Sequence, residues 1–166
     1  MELRGSCHCK AVRFRVEADS PIPYLRCYCS ICRKTAGGGG YAINLGADAH
    51  TLQVEGEDAV SVYQARIERE DGTSEVSPGR RSFCRYCAST LWVYDPRWPE
   101  LVHPFASAVD TPLPKSPETV RIMLRYAAPW CELPDPAVTG ERHFDEYPDE
   151  SLHEWHVRHG LVGGTP

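Results

Sequence analysis

Cys27-Tyr28-Cys29-Ser30-Ile31-Cys32 sets three thiols inside six residues, and Cys7-His8-Cys9 and Cys84-Arg85-Tyr86-Cys87 flank it in the chain. Thiolates two to four positions apart can close on one tetrahedral ion at about 2.3 Å, because a tight turn points both sulfurs the same way. A lone C-x-x-C is a weak signal. A C-x-C, a C-x-C-x-x-C and a C-x-x-C in one chain of 166 residues make a strong one. His8, Arg33 and Arg85 beside them are polar, which argues against a role as small core hydrophobes. The expectation is two Zn²⁺ per chain on seven of the eight cysteines.

Seven ligands do not fill two four-cysteine sites. One closed site leaves three thiolates, the number that a zinc site with an open coordination position needs. Cys27, Cys29 and Cys32 can form that triad locally, leaving Cys7, Cys9, Cys84 and Cys87 to close a structural site. Spacing also admits Cys29/Cys32 with Cys84/Cys87 as a ribbon, with Cys7, Cys9 and Cys27 left over. Cys131 reads as a buried small hydrophobe, or else as a fourth ligand that completes the second site.

Outward from the clusters, residues 11–16 alternate, with Val12, Phe14 and Val16 on one side and Arg13 and Arg15 on the other. That is the period of a half-buried strand. Leu52/Val54, Val60/Val62, Leu91/Val93 and Val120/Ile122/Leu124 repeat it, and turn-rich stretches at 37–40, 68–79, 95–99 and 110–117 separate them. Residues 149–160 read as a short helix, with Leu152, Trp155 and His156 on one face and Gly160 as its stop. The predicted architecture is one mainly β domain over 1–166. Short antiparallel strands form a core at 1–131, and an acidic connector and C-terminal helix occupy 132–166.

Composition agrees with a globular domain: 42% hydrophobic and 25% charged residues, with Gly 13 and Pro 14 favouring strands and turns. No apolar run approaches the roughly 18 residues of a membrane span. The start, MELRGSCHCK, lacks the apolar stretch of a secretory signal, so a cytoplasmic protein is expected, with cysteines as metal ligands rather than disulfides. A formal charge of −5 gives no support for nucleic acid or an anionic membrane as partner.

Several segments resemble the glutathione-dependent formaldehyde-activating enzymes. They are Gly5-Ser6-Cys7-His8-Cys9 followed by Ala11-Val12-Arg13-Phe14, the second cluster extended to Arg33-Lys34, and Arg81-Ser82-Phe83 leading through the third cluster to Leu91. Ala128-Pro129-Trp130 and His143-Phe144-Asp145-Glu146-Tyr147-Pro148 are similar to later segments of bacterial members. The resemblance implies a zinc-ribbon-derived β-tent fold. It implies a structural zinc on Cys7, Cys9, Cys84 and Cys87 and a catalytic zinc on Cys27, Cys29 and Cys32. It also implies addition of glutathione to formaldehyde to give S-hydroxymethylglutathione, a carbon–sulfur lyase reaction in reverse. The sequence departs from that pattern at Lys10 and Ala88, where glycine is usual, and at Tyr28, where histidine is frequent. Asp110 alone remains of a usual Gly-x-Leu-Asp-Asp segment.

Three thiolates on a doubly charged cation leave a net negative site, a weaker Lewis acid than a three-histidine one, so activating water is not its natural use. A substrate thiolate entering the open position remains nucleophilic, which suits a small thiol such as glutathione with an aldehyde, or their adduct. Arg26, Arg33 and Lys34 flank the triad as carboxylate binders or as a solvated basic turn. Trp130 lines a pocket or fills the core, and residues 37–40 approach a ligand or form a flexible loop. His153, His156 and His159 rotate around a helix and read as ordinary helix residues. A non-enzymatic zinc-ribbon-like interaction module is the alternative, since it needs only closed sites. A redox switch of Cys29 and Cys32 is a third reading.

Overall fold

The structure, a computed structural model, describes residues 1–69, 71–139 and 141–161. The N-terminal alternation becomes a hairpin of β1 (Glu2–Ser6) and β2 (Arg13–Glu17), in which Leu3 faces Val16 and Gly5 faces Phe14. β2 begins at Arg13 rather than two residues earlier. The Cys7 N–H donates to Val12 O at 3.0 Å and closes residues 7–12 into the turn.

Then come β3 (Tyr24–Cys27), α1 (Ser30–Ala36), β4 (Ala42–Asn44), β5 (Ala47–Asp48), β6 (Gln53–Glu55) and β7 (Val60–Tyr63). The turn-rich stretch after them holds a hairpin of β8 (Arg66–Glu68) and β9 (Ser74–Val76), turned through Gly72 at φ +80°. β10 (Arg80–Cys84), β11 (Thr90–Tyr94) and β12 (Leu101–Pro104) form a meander. β13 (Thr119–Ile122) stops short of Leu124 because Met123 takes φ +62° and leaves extended geometry. The connector carries α2 (Pro136–Thr139) and β14 (Arg142–His143), and the chain closes with α3 (Leu152–Arg158). The architecture is mainly β with a short C-terminal helix. Residues 162–166 of the predicted terminal segment lie outside the described residues.

The chain divides into two compact units. One comprises Glu2–Glu17 and Ala47–Thr111 and contains the sheets β1-β2-β6 and β5-β12-β11-β10-β7. Leu3, Val12, Phe14, Val16, Leu91, Trp92, Val102 and Phe105 are among its buried apolar residues. Phe14 meets Trp92 edge to face at 5.3 Å between centroids. Gly5 admits that packing: a Cβ there would stand 2.2 Å from the Phe14 ring and 2.4 Å from the Ala108 carbonyl oxygen.

The other unit comprises Met1, Ala18–Gly46 and Pro112–Pro166, with the sheet β14-β13-β3-β4. β13 runs parallel to both β3 and β14, so Ile122 lies beside Cys27 and Arg121 lies between Arg26 and His143. α3 starts from a capping box, in which Ser151 Oγ accepts from Glu154 N–H at 3.2 Å and Glu154 Oε2 accepts from Ser151 N–H at 2.7 Å. Trp155 is buried, His156 Nε2 meets Ile22 O at 2.6 Å, and His159 stacks on Trp155 at 3.8 Å. Packing occupies these two histidines.

Candidate metal centre

β1 delivers Cys7 and β10 delivers Cys84, and each begins a tight turn that carries a second cysteine. In the first turn Lys10 N–H donates to Cys7 O at 3.0 Å, and in the second Ala88 N–H donates to Cys84 O at 2.8 Å. Both turns require a left-handed residue immediately after the second cysteine. Lys10 has φ +62° and Ala88 φ +58°, so the two departures from glycine retain glycine's conformation at a steric cost. Val12 N–H donates to Cys7 Sγ at 3.2 Å, and Ser89 Oγ lies 3.2 Å from Cys87 Sγ.

The sulfurs of Cys7, Cys9, Cys84 and Cys87 all lie within 4.8 Å of one another, with Cys7 to Cys9 at 3.5 Å and Cys9 to Cys84 at 3.7 Å. Sulfurs at 2.3 Å around a tetrahedral ion are separated by roughly 3.8 Å. The donor set fits zinc. Their protons are unevenly held. Cys87 falls to about 5, chiefly through the Ser89 hydroxyl and then the Cys9 N–H. Cys9 rises to about 12: the Ala11 N–H lowers it, but contact with Cys7, burial, Cys87 and Cys84 outweigh that pull. A central cation removes this competition, because it stabilises every thiolate at once.

The second group is local. Cys27 ends β3, and Cys29 caps α1 with its sulfur accepting the Cys32 N–H at 3.3 Å. The sulfurs of Cys27, Cys29 and Cys32 lie within 4.8 Å of one another, and no histidine, cysteine or carboxylate atom joins that group among the described residues. Cys27 and Cys32 are buried and Cys29 is half-buried. The Cys27 thiol is pushed far up by hydrogen bonding with Cys29, then with Cys32, and by burial. This donor set also fits a cation that takes sulfur.

Cys131 belongs to neither group. Its sulfur packs on Gly40, where φ is +89° and a Cβ would come within 2.3 Å of it and 3.2 Å of the Trp130 ring. Trp130 is 60% exposed, which overturns its reading as a core aromatic, and its ring lies beside Gly40. Lys34 is exposed. Arg26 and Arg33, next to Cys27 and Cys32 in sequence, each hold a solvent-inaccessible Nε with no acceptor among the described residues. The amide oxygen of Asn44 on β4 is likewise buried without a donor.

Sequence reasoning missed the surroundings of Tyr28. Its hydroxyl accepts a hydrogen bond from Arg121 Nη1, and Arg121 holds Glu141 through Nε at 2.6 Å and Nη2 at 3.1 Å. The Arg121 and Glu141 side chains are 6% and 15% exposed, a buried and paired charge. Hydrogen bonding from Arg121 holds Glu141 below its ordinary value against its own burial. Lys10 was also unassigned. Its ammonium reaches Ser6 Oγ at 2.8 Å, and Ser6 Oγ donates to Asp110.

Among known proteins, the model of the family described as glutathione-dependent formaldehyde-activating enzyme matches residues 2–124. A Halomonas elongata protein provisionally named as such an enzyme is 60% identical over 164 residues, covering 99% of this chain and 100% of the relative. A Rhodobacter sphaeroides protein of known crystal structure is 23% identical with a TM-score of 0.48, over 87% of this chain and 99% of that one.

Proposed function

The chain belongs to the glutathione-dependent formaldehyde-activating enzyme family, and from that premise we propose that it is a two-zinc enzyme of carbon–sulfur bond chemistry. Cys7, Cys9, Cys84 and Cys87 would hold a structural zinc, and Cys27, Cys29 and Cys32 a catalytic one. The observation that carries this reading is the triad itself: three sulfurs gathered within 4.8 Å, with no fourth ligand atom in the group among the described residues. Zinc bound to three thiolates supplies a soft position at which a thiol is held as thiolate near neutral pH.

The net reaction is addition of a thiol to an aldehyde. The S–H bond and the carbonyl π bond break, S–C and O–H bonds form, and nothing is oxidised. The chain's own part is to bind and orient the thiol. Arg26 and Arg33 present buried N–H groups that lack acceptors among the described residues, and a buried donor left unmatched costs roughly 1–3 kcal/mol. A substrate carboxylate supplies the missing acceptor, which favours an anionic, peptide-like thiol such as glutathione. Lys34 adds positive charge, and the exposed Trp130 offers an apolar surface.

Metal analysis of the native protein, with NMR of glutathione–formaldehyde exchange, tests the reading. The expected result is about two zinc per chain and faster interconversion of adduct and free reactants. One zinc per chain and no acceleration with any thiol–aldehyde pair would leave the interaction module as the better reading.

A further inference from the structure

Tyr28 stands between two members of the triad, and it is 1% exposed. Two contacts fix it. Its backbone N–H donates to Ile122 O at 3.0 Å, and its hydroxyl receives Arg121 Nη1. The Arg121 guanidinium also lies 5.8 Å from the centre of the Tyr28 ring, and Tyr41 packs against that ring at 5.1 Å. Glu141 takes two other guanidinium N–H groups in a bidentate pair and lies 3.4 Å from His143 Nε2.

A buried ion pair of this kind is weak evidence for stability, because desolvation offsets most of the attraction. Its fork geometry is specific, however. Two of the guanidinium's N–H directions are spent on Glu141, which aims a third at the tyrosine oxygen. The ring is thereby held at its root and at its tip, and the peptide segment carrying Cys27 and Cys29 is held with it. β13 reinforces the hold from below, since Ile122 lies directly beside Cys27 and Arg121 beside Arg26. Glu141, which orients the whole chain of contacts, lies beyond the residues matched by the family model.

We propose that Tyr28, Arg121 and Glu141 form a positioning clamp that presets the Cys27, Cys29 and Cys32 sulfurs for their metal. This rests on the reading of those three cysteines as a metal site. Outer contacts that orient metal ligands change affinity by about 10–100-fold when they are removed. None of the three residues touches substrate in this proposal; they act through the sulfurs.

The test uses the full chain loaded with Co²⁺, whose thiolate absorption bands report each site, titrated with a chelator. In the native protein two cobalt ions should leave in separate steps. Tyr28→Phe, which removes only the hydroxyl, should release the triad's ion at roughly 10–100-fold lower chelator activity and alter its ligand-field bands. The ion on Cys7, Cys9, Cys84 and Cys87 should leave unchanged, as an internal reference. Glu141→Gln should show the same selectivity, and it carries the test if Tyr28→Phe does not fold. Equal release and identical bands in both variants would overturn the clamp while leaving the two-site reading intact. A native protein that takes up one cobalt only would overturn the two-site reading and the clamp together. Failure of both variants to fold with the four-cysteine site loaded would show that the contacts hold the fold, and would also overturn the proposal.

Discussion

The sulfurs of Cys9 and Cys84 stand 3.7 Å apart although 75 residues separate them in sequence. Bringing two turns from distant parts of a chain to one point costs loop-closure entropy, and neighbouring thiolates repel. A cation offsets both. In small zinc-dependent folds the metal contributes about 10–16 kcal/mol, the same order as the whole stability of a domain. Cys84→Ser is therefore expected to abolish cooperative unfolding of the native form, read by circular dichroism and metal content. A Cys84→Ser protein with native melting and two zinc would refute the structural role.

The triad is built within one segment of chain, so its loss has a different signature. Cys27, Cys29 and Cys32 lie on β3, the N-cap of α1 and α1 itself, a segment tied by backbone hydrogen bonds within the sheet and the helix. Cys27→Ser should remain folded, bind about one zinc and lose thiol–aldehyde turnover. Unfolding of Cys27→Ser, or a retained second zinc, is the result that would sink the open-site reading.

What the sequence exposed and what it hid follow from distance along the chain. Each cysteine cluster is local, so spacing alone marks it, and the period-two alternations locate strands such as β2 and β11 within a residue or two. α1 gave no signal because its seven residues lack an apolar period and its N-cap acceptor is the Cys29 sulfur rather than a Ser, Thr, Asp or Asn oxygen. The Tyr28–Arg121 contact spans 93 residues and Arg121–Glu141 spans 20, and nothing local marks them. Trp130 illustrates a different limit. Hydrophobicity leaves a tryptophan after proline as pocket lining or as core, and its 60% exposure beside Gly40 sets only the core reading aside.

Ala88 offers a stabilising change. Its φ of +58° places a Cβ in the left-handed region, which costs roughly 1–2 kcal/mol in an L-residue. Glycine avoids that cost and gives back about 0.5–1 kcal/mol in unfolded-chain entropy. Ala88→Gly should thus gain up to about 1 kcal/mol and raise the midpoint of thermal unfolding, with zinc content unchanged. Ala88→Val, with branching at the same φ, should lower it. Equal melting of all three proteins would show that the turn relaxes instead of storing strain. Lys10→Gly is a less clean test, because it also removes the ammonium that reaches Ser6.

Asp95 opens the turn between β11 and β12, and its side chain is 9% exposed. Oδ1 accepts from the Arg97 backbone N–H and from Nε, both at 3.0 Å, and Oδ2 pairs with Nη2 at 2.7 Å. Burial alone would raise this carboxyl, but the Arg97 hydrogen bonds and charge, with a smaller pull from His103, hold it below the ordinary 3.8. A depressed native value means that the unfolded chain takes up the proton first as acid is added. The stabilisation is therefore complete only above about pH 5 and disappears as pH falls through the lower, native value. Asp95→Asn cannot titrate and keeps one acceptor oxygen. It should lie below the native protein by about 1–2 kcal/mol at pH 7, with the gap closing toward pH 3. Subtracting the two denaturation series at each pH cancels any acid release of metal common to both. A gap that stays constant between pH 7 and pH 3 would show that the Asp95 charge contributes nothing to the turn.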